Sequence, residues 1–328
     1  MMPLRVAGTG SYVPEEVLTN FDLEKTLSTT NEWIVKRTGI RERRIARKDQ
    51  AASHLALEAS RQALKAAGMS ASELDYVIMA TITPDTCCPS GANCLQAKLD
   101  CPQAITFDVT AACSGFVFAL DVASTYLQAG KAKNILVVAS EIMSRVQDWT
   151  DRSNCVLWGD GAGAVILKAE EGNPQLLDTF VATDGSQGQN LLMPGGGSAT
   201  TPICYESVDK KLHTLKMIEA SASVRVAVKY FAESVHTILA RNHRTMDDVA
   251  HFIPHQANLR MIQSLAKRLD VDLKRFVLTV DKYANISSAS CVIALDEAVR
   301  SGRIKAGDLV CFTVFGGGLT WGSALIQF

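Results

Sequence analysis

The chain repeats itself once, and that repeat constrains the fold more than any other feature. Leu74-Asp75-Tyr76-Val77-Ile78 resembles Val249-Ala250-His251-Phe252-Ile253, and Ala97-Lys98-Leu99-Asp100 resembles Lys267-Arg268-Leu269-Asp270. Phe118-Ala119-Leu120-Asp121-Val122-Ala123 resembles Ile293-Ala294-Leu295-Asp296-Glu297-Ala298. A glycine turn and a strand pattern follow in both places, Gly130 to Val138 and Gly302 to Val314. The offset stays between 170 and 176 residues in a chain of 328. A period of about half the chain excludes an array of short solenoid repeats, whose periods run from about 20 to 50 residues. It predicts two related halves, 1–172 and 173–328, with the join just after Gly159–Lys168.

Within each half, helical and strand patterns alternate. His54 to Ala67 places Leu55, Ala59, Ala63 and Ala66 on one side, and Gly68 is a natural helix stop. Tyr76–Ala80 and Ile135–Ala139 are short, continuous apolar runs, as expected of central strands covered on both faces. The predicted class is α/β with a mostly parallel or mixed sheet. Val224, Val228, Phe231, Val235 and Leu239 recur at helical spacing and read as core. Between the halves' better-patterned regions, Asp184 to Pro202 is rich in glycine and proline and reads as a long functional loop.

Composition narrows the function classes. A net charge of −1 argues against a strongly basic nucleic-acid binder, and no apolar run reaches the roughly 18 residues of a membrane helix. The N-terminus lacks the pattern of a secretory signal, which predicts a cytoplasmic protein. Nine cysteines form no CxxC pair, so neither a zinc ribbon nor a thioredoxin-like motif is present. Most of these thiols are expected to be small buried hydrophobes.

Cys113 stands out from the other eight. It lies in Phe107-Asp108-Val109-Thr110-Ala111-Ala112-Cys113-Ser114-Gly115-Phe116, where a strand ends, small residues allow a sharp turn and a helix begins. A thiol at a helix N-terminus meets the positive end of the dipole, which predicts a favoured thiolate. Backbone N–H groups there can also hold a developing oxyanion. His255, in Pro254-His255-Gln256-Ala257-Asn258, sits at the carboxyl end of a predicted strand, where open α/β sheets build sites. Asn285 lies in a Ser-rich loop that the repeat makes the counterpart of the Cys113 turn. Taken alone Asn285 is an ordinary helix cap; under the duplication, all three side chains converge about a pseudo-twofold axis.

Phe315-Gly316-Gly317-Gly318-Leu319 follows a strand, and its glycines allow close backbone approach to a ligand. Gly159-Asp160-Gly161-Ala162-Gly163-Ala164 is neither GxGxxG nor a P-loop, and close packing is its better reading. In the predicted helix from Asn258 to Leu269, Arg260 and Lys267 share a face with Arg268 nearby. By pattern that face is either a solvated surface or a dock for an acidic partner.

With these motifs the chain resembles the beta-ketoacyl-[acyl-carrier-protein] synthase III family of the thiolase superfamily. The resemblance spans essentially the whole chain. It rests on Thr30–Arg43, the Cys113 turn, Gly159–Ala164, Pro254–Arg260 and Phe315–Ser323. It implies a thiolase-like, duplicated five-layered α/β/α/β/α fold and a homodimer. It also implies Cys113 as nucleophile with His255 and Asn285 as partners, and an oxyanion hole from the N–H groups of Cys113 and Gly317. Trp33 and Arg152 match a pair that sandwiches the coenzyme A adenine, and Arg37 and Asn258 match positions along the cofactor tunnel. Arg260, Lys267 and Arg268 become the docking face for acyl carrier protein. The implied reaction is decarboxylative condensation of an acyl-CoA primer with malonyl-ACP to 3-oxoacyl-ACP, initiating fatty-acid synthesis through an acyl-Cys thioester, with no metal or redox cofactor.

The sequence departs from the family pattern around the acyl pocket. Ala284 and Ile286 flank Asn285 where glycine and threonine are usual, Cys88 replaces an aromatic before Pro89, and Trp158 replaces a phenylalanine. Met217 to Val224 also diverges. Cys88, Trp158 and Val224 are therefore the expected acyl-pocket residues, reshaped for a different primer. An acyltransferase or specialised-metabolism condensing enzyme on the same fold is the alternative, and a non-catalytic acyl-carrier binding module is the alternative from another class. A thiolase is disfavoured because Gly316-Gly317 stands where its second catalytic cysteine belongs.

Overall fold

A computed structural model describes residues 2–199, 203–217 and 220–328, without the side chains of 220–224. Nine strands carry the architecture: β1 Arg5–Tyr12, β2 Tyr76–Ala80, β3 Ile105–Val109, β4 Asn134–Ile142, β5 Asp160–Lys168, β6 Gln175–Thr183, β7 Val249–Pro254, β8 Leu309–Gly316 and β9 Thr320–Gln327. Seven helices matter for the site: α1 Asn31–Thr38, α2 Ala52–Ala67, α3 Gly91–Leu99, α4 Gly115–Gln128, α5 Ala220–Arg241, α6 Leu259–Leu269 and α7 Ser290–Arg300.

The predicted duplication is visible in the strand pairing. From the edge inward, β3 and β2 run parallel to β4, which is antiparallel to β5, which is antiparallel to β1. The second half repeats this scheme with β7 parallel to β8, β8 antiparallel to β9, and β9 antiparallel to β6. The counterpart of β3 has shrunk to an isolated parallel bridge between Phe252 and Phe276. Backbone conformations repeat as well. Asp100 and Asp270 end α3 and α6 at φ 54° and 55°, and Gly130 and Gly302 adopt φ 68° and 69°. The two halves join into one hydrogen-bonded sheet at a short seam, where Arg5 pairs with Gln175.

Side-chain alternation along the strands builds the layers. On β4, Ile135, Val137 and Ala139 enter a central core, while Leu136 and Val138 enter an outer one. On β8, Val310, Phe312 and Val314 enter the same central core, and Leu309 and Cys311 enter a second outer one. A period of two that is apolar on both faces requires cover on both. That central core is filled by α4 and α7, with α2 and α3 outside one half and α5 and α6 outside the other. The result is the expected five-layered α/β/α/β/α order. The glycines of Gly159–Ala164 serve this packing, as read from sequence. A Cβ on Gly163 would stand 2.4 Å from the Val292 side chain on α7, and one on Gly159 2.5 Å from the Tyr283 carbonyl.

Two sequence expectations need adjustment. The stretch from Asp184 to Pro202 is not wholly irregular: Gly185–Asn190 forms 3-10 turns, and Leu191–Leu192 pairs with Lys216–Met217. Positions 200–202 lie outside the described residues. Among the described residues no helix is long and apolar enough to cross a membrane.

Candidate active site

The site forms where the carboxyl ends of the two strand sets meet. After β3 the chain makes a 3-10 turn, Ala112–Ser114, before α4 begins at Gly115. Ala112 takes φ +47°, a left-handed value that non-glycine residues adopt at a cost. Its counterpart in the second half is Ser287, also at φ +47°, in the 3-10 turn Ser287–Ala289 before α7. The same kink is thus used twice, and the two turns face each other across the central layer. A Cβ on Gly115 would stand 3.1 Å from the Ala80 side chain and 3.2 Å from that of Ser288.

Cys113 is buried, 5% exposed, with the Ser287 hydroxyl beside its thiol. Burial pushes the thiol up to about 12, against the opposing pull of Ser287, and the nearby Glu141 carboxylate raises it further. This corrects the expectation that the dipole leaves a thiolate at rest. Cys113 sits in the 3-10 turn ahead of the helix proper, where desolvation outweighs the dipole. Burial therefore favours the protonated thiol.

Asn285 is held on three sides. Its backbone N–H donates to Leu157 O at 2.9 Å, its carbonyl accepts from Gly159 N at 3.0 Å, and its Oδ1 accepts from Ser287 N at 2.8 Å. The side chain therefore makes an Asx turn into the 3-10 turn, and its Nδ2 is left as the group that can donate. His255 follows β7, and its backbone N–H donates to Thr313 O on β8 at 2.9 Å. Three residues further on, β8 ends at Gly316, where a Cβ would stand 2.7 Å from Cys113 N. The topology thus delivers the imidazole to the rim that holds the nucleophile's amide. Burial alone pushes the imidazole down to about 3, so it is neutral, and Nδ1 has no partner in the protein. Among the described residues no hydrogen bond joins the imidazole to Cys113 or Asn285. Gln256 anchors its backbone: Nε2 donates to Pro254 O at 2.8 Å and Val277 O at 3.1 Å, while Oε1 accepts from Thr279 N at 2.9 Å.

The other predicted residues fall into distinct places. Gly317 lies in the turn after β8, but it is Gly316 that presses on the Cys113 amide; a Cβ on Gly317 would meet Leu191 instead. Trp158 is buried beside Asn285 through a parallel bridge, and its Nε1 donates to Asn154 Oδ1 at 2.9 Å. Cys88 is exposed on the loop before α3. The side chain of Val224 lies outside the described residues.

Trp33 is on α1, whose first turn is capped by Thr30 Oγ1 accepting from Trp33 N at 3.1 Å. The Arg37 and Arg152 guanidinium carbons lie 4.8 and 5.1 Å from the Trp33 ring centroid, and Arg152 also donates to the Ser28 carbonyl. A cation over an indole face is a favourable pair. Gly39 ends α1 at φ 78°, and a Cβ there would stand 2.4 Å from the Leu259 side chain, so α1 packs closely on the start of α6. Asn258 is the N-cap of α6, its Oδ1 accepting from Met261 N at 2.9 Å. Arg260, Lys267 and Arg268 are exposed on α6, and none joins an ion pair among the described residues, whereas Ile262, Leu265 and Leu269 face the core.

Comparison with known proteins follows this geometry. A family model described as 3-oxoacyl-[acyl-carrier-protein (ACP)] synthase III matches residues 107–185, and its C-terminal companion matches 239–328. A beta-ketoacyl-[acyl-carrier-protein] synthase III of Xanthomonas campestris is 48% identical, with 99% of this chain and 98% of that protein covered. The chain belongs to the 3-oxoacyl-[acyl-carrier-protein] synthase III family. Another member, from Caldanaerobacter subterraneus, is 45% identical over 98% of this chain and 97% of its own length. The crystal structure of the synthase III of Aquifex aeolicus superposes with a TM-score of 0.90 at 41% identity, covering 99% of this chain and all of that one. The thiolase-type fold expected from the resemblance is the fold of this family member.

Sequence reasoning missed Glu141, Ser287, Ser288 and Gln256. Glu141 is fully buried at the end of β4, and its Oε2 accepts from Thr83 Oγ1 at 2.7 Å, Ile82 N at 3.0 Å and Thr81 Oγ1 at 3.2 Å. Its Oε1 accepts from Ser288 Oγ at 2.7 Å. A signal was available: a carboxylate that ends an otherwise apolar central strand is out of place unless it is fully bonded or in use.

Proposed function

We propose that this enzyme condenses an acyl-CoA primer with malonyl-ACP, releasing carbon dioxide and forming 3-oxoacyl-ACP, by way of a thioester on Cys113. The observation that carries the reading is the facing pair of kinked turns, which sets a buried thiol opposite the Ser287–Asn285 turn in a chain of this family. In the first half-reaction the Cys113 sulfur attacks the primer's carbonyl, and coenzyme A leaves. The N–H groups of Cys113 and Gly317 would hold the oxyanion. In the second, malonyl-ACP loses its carboxylate, and the enolate oxygen accepts hydrogen bonds from neutral His255 and from Asn285 Nδ2. A neutral donor suits this step, because an imidazolium would donate its proton and quench the carbanion. The carbanion then attacks the Cys113 thioester.

The same reading assigns Trp33 and Arg152 to the coenzyme A adenine, Arg37 and Asn258 to the tunnel, and Arg260, Lys267 and Arg268 to acyl carrier protein. The Arg37 and Arg152 guanidinium groups both lie close to the Trp33 ring, where an adenine would stack. We read 1–172 and 173–328 as the duplicated halves, the active form as a homodimer and the location as the cytoplasm. Trp158 would line the acyl site, with Cys88 and Val224 the other residues assigned to it. Mixing the protein with a short-chain acyl-CoA and reading intact mass tests the proposal. One acyl group should appear on the wild type and none on Cys113→Ala; an adduct that persists in the variant sinks it.

A further inference from the structure

A small strand pair outside the main sheet holds a charge that the reaction scheme leaves unused. Glu16–Thr19 and Glu42–Ile45 run antiparallel, with Leu18 opposite Arg43. Arg43 is fully buried. Burial pushes its guanidinium down to about 10, so it stays charged at neutral pH. A buried charge is costly unless hydrogen bonds replace its water. Among the described residues the groups that do so are all uncharged: Nη1 donates to Leu18 O at 3.1 Å and to Asn20 Oδ1 at 3.0 Å, and Nη2 donates to Val156 O at 2.9 Å. An apolar side chain could fill the same space without burying a charge. The placing of the three acceptors is therefore the feature to explain.

Asn20 leads toward the coenzyme side. It is fully buried, and its Nδ2 donates to Asn31 Oδ1 at 3.1 Å and to Ile40 O at 2.8 Å. Asn31 opens α1 and Ile40 follows its end, so Asn20 grips both ends of the helix that carries Trp33 and Arg37. Val156 leads the other way. It is the middle residue of the 3-10 turn Cys155–Leu157. Cys155 N donates to Asp151 O at 3.0 Å, which places Arg152 on the bend that runs into this turn. The next carbonyl, Leu157 O, accepts from Asn285 N at 2.9 Å, and Gly159 N donates to Asn285 O at 3.0 Å. Gly159 also packs on Arg43, since a Cβ there would stand 3.2 Å from the Arg43 Cβ. One guanidinium thus links the helix bearing Trp33, the bend bearing Arg152 and the backbone that holds Asn285.

We propose that Arg43 is a positioning residue that sets the spacing of Trp33 and Arg152 and, through Leu157, the place of the Asn285 carboxamide. Coenzyme recognition and enolate stabilisation then share one buried anchor. Arg43 itself touches no substrate. Lysine cannot replace it, because an ammonium donates from a single atom and cannot span acceptors on two elements as the guanidinium fork does. Cys113 is held separately, by its own 3-10 turn and by the close approach of Gly316. The anchor therefore bears on adenine binding and on the enolate, and leaves the nucleophile alone.

This inference rests on the adenine clamp and the Asn285 role proposed above, and one experiment separates them. The proteins are the wild type, Arg43→Met, Arg43→Lys and Asn20→Asp, with an unfolding midpoint for each. Each is loaded from a short-chain acyl-CoA and from the matching acyl-pantetheine, which lacks the adenine, and kcat/KM is compared. Each acylated protein then receives malonyl-ACP, and carbon dioxide release is timed. The wild type should prefer acyl-CoA. Both Arg43 variants should lose about tenfold of that preference and release carbon dioxide about tenfold more slowly, less than the roughly 10²-fold for outright loss of an oxyanion donor, while loading from acyl-pantetheine is unchanged. Asn20→Asp keeps an acceptor for Arg43 but loses both donations toward α1. It should lose the preference alone, and it decides the matter if the Arg43 variants fail to fold: an unaltered preference there overturns the anchor. A lower unfolding midpoint with all rates scaled together overturns it too, as do unchanged rates. If only one of the two readouts falls in the Arg43 variants, the guanidinium serves that side alone and the shared anchor is overturned. A wild type that loads both primers equally well overturns the adenine clamp of the proposed function, and the anchor with it.

Discussion

At the scale of single residues, the environment of each group decides its chemistry more than its type does. Cys113 and His255 are both pushed toward their neutral forms by burial. For His255 the sign of the pH dependence follows directly. Its folded-state value of about 3 lies below the usual 6.5, so it is neutral throughout the range where an ordinary histidine titrates. The decarboxylation rate should therefore show no ionisation near pH 6.5. A profile that falls as pH rises through 6.5 would mean that the imidazolium is the working form. His255→Ala should slow decarboxylation of malonyl-ACP by about 10²-fold, as for loss of one oxyanion donor, while acyl loading stays within about tenfold. Equal loss of both steps would remove the separate enolate role. The places of Cys113, His255 and Asn285 in the fold were legible from sequence because each ends a recognisable strand or opens a turn. The protonation state of Cys113 was not. A dipole argument sees one element, whereas desolvation depends on every element packed around the sulfur.

Elements place these groups by close backbone contact, and glycine is the means. Gly163 lets α7 lie on β5, and Gly316 lets the end of β8 touch the Cys113 amide. Gly163→Ala should cost about 1–3 kcal/mol by overpacking, read from the urea midpoint, because its Cβ meets Val292 and the Ile293 backbone rather than a flexible tip. A variant as stable as the parent would show that α7 can slide. Helices and central strands were readable in the sequence from their apolar periods: the helix expected over His54–Ala67 spans Ala52–Ala67 and ends at Gly68, φ 63°. Glu141 and Ser288 were not readable as partners. They are 147 residues apart and meet only because the two turns face each other across the fold.

On the scale of the whole molecule, the exposed basic face of α6 borders the helix that carries Trp33 and Arg37. Reversing charge there with Arg260→Glu and Lys267→Glu should raise the KM for malonyl-ACP several-fold and flatten its salt dependence, leaving kcat and acyl loading from acyl-CoA unchanged. An unaltered KM would move the carrier's footprint elsewhere. The duplication itself was legible because turn residues and strand patterns survive at a near-constant offset. The loss of the fifth strand in the second half was not, since the Phe276 bridge leaves no pattern of its own. The kink shared by Ala112 and Ser287 carries a historical consequence. A distortion found at equivalent places in both copies was inherited from the unit that was copied, before one descendant placed a sulfur beside it and the other a carboxamide. The kinked turn is therefore older than the difference between the two side chains it now presents.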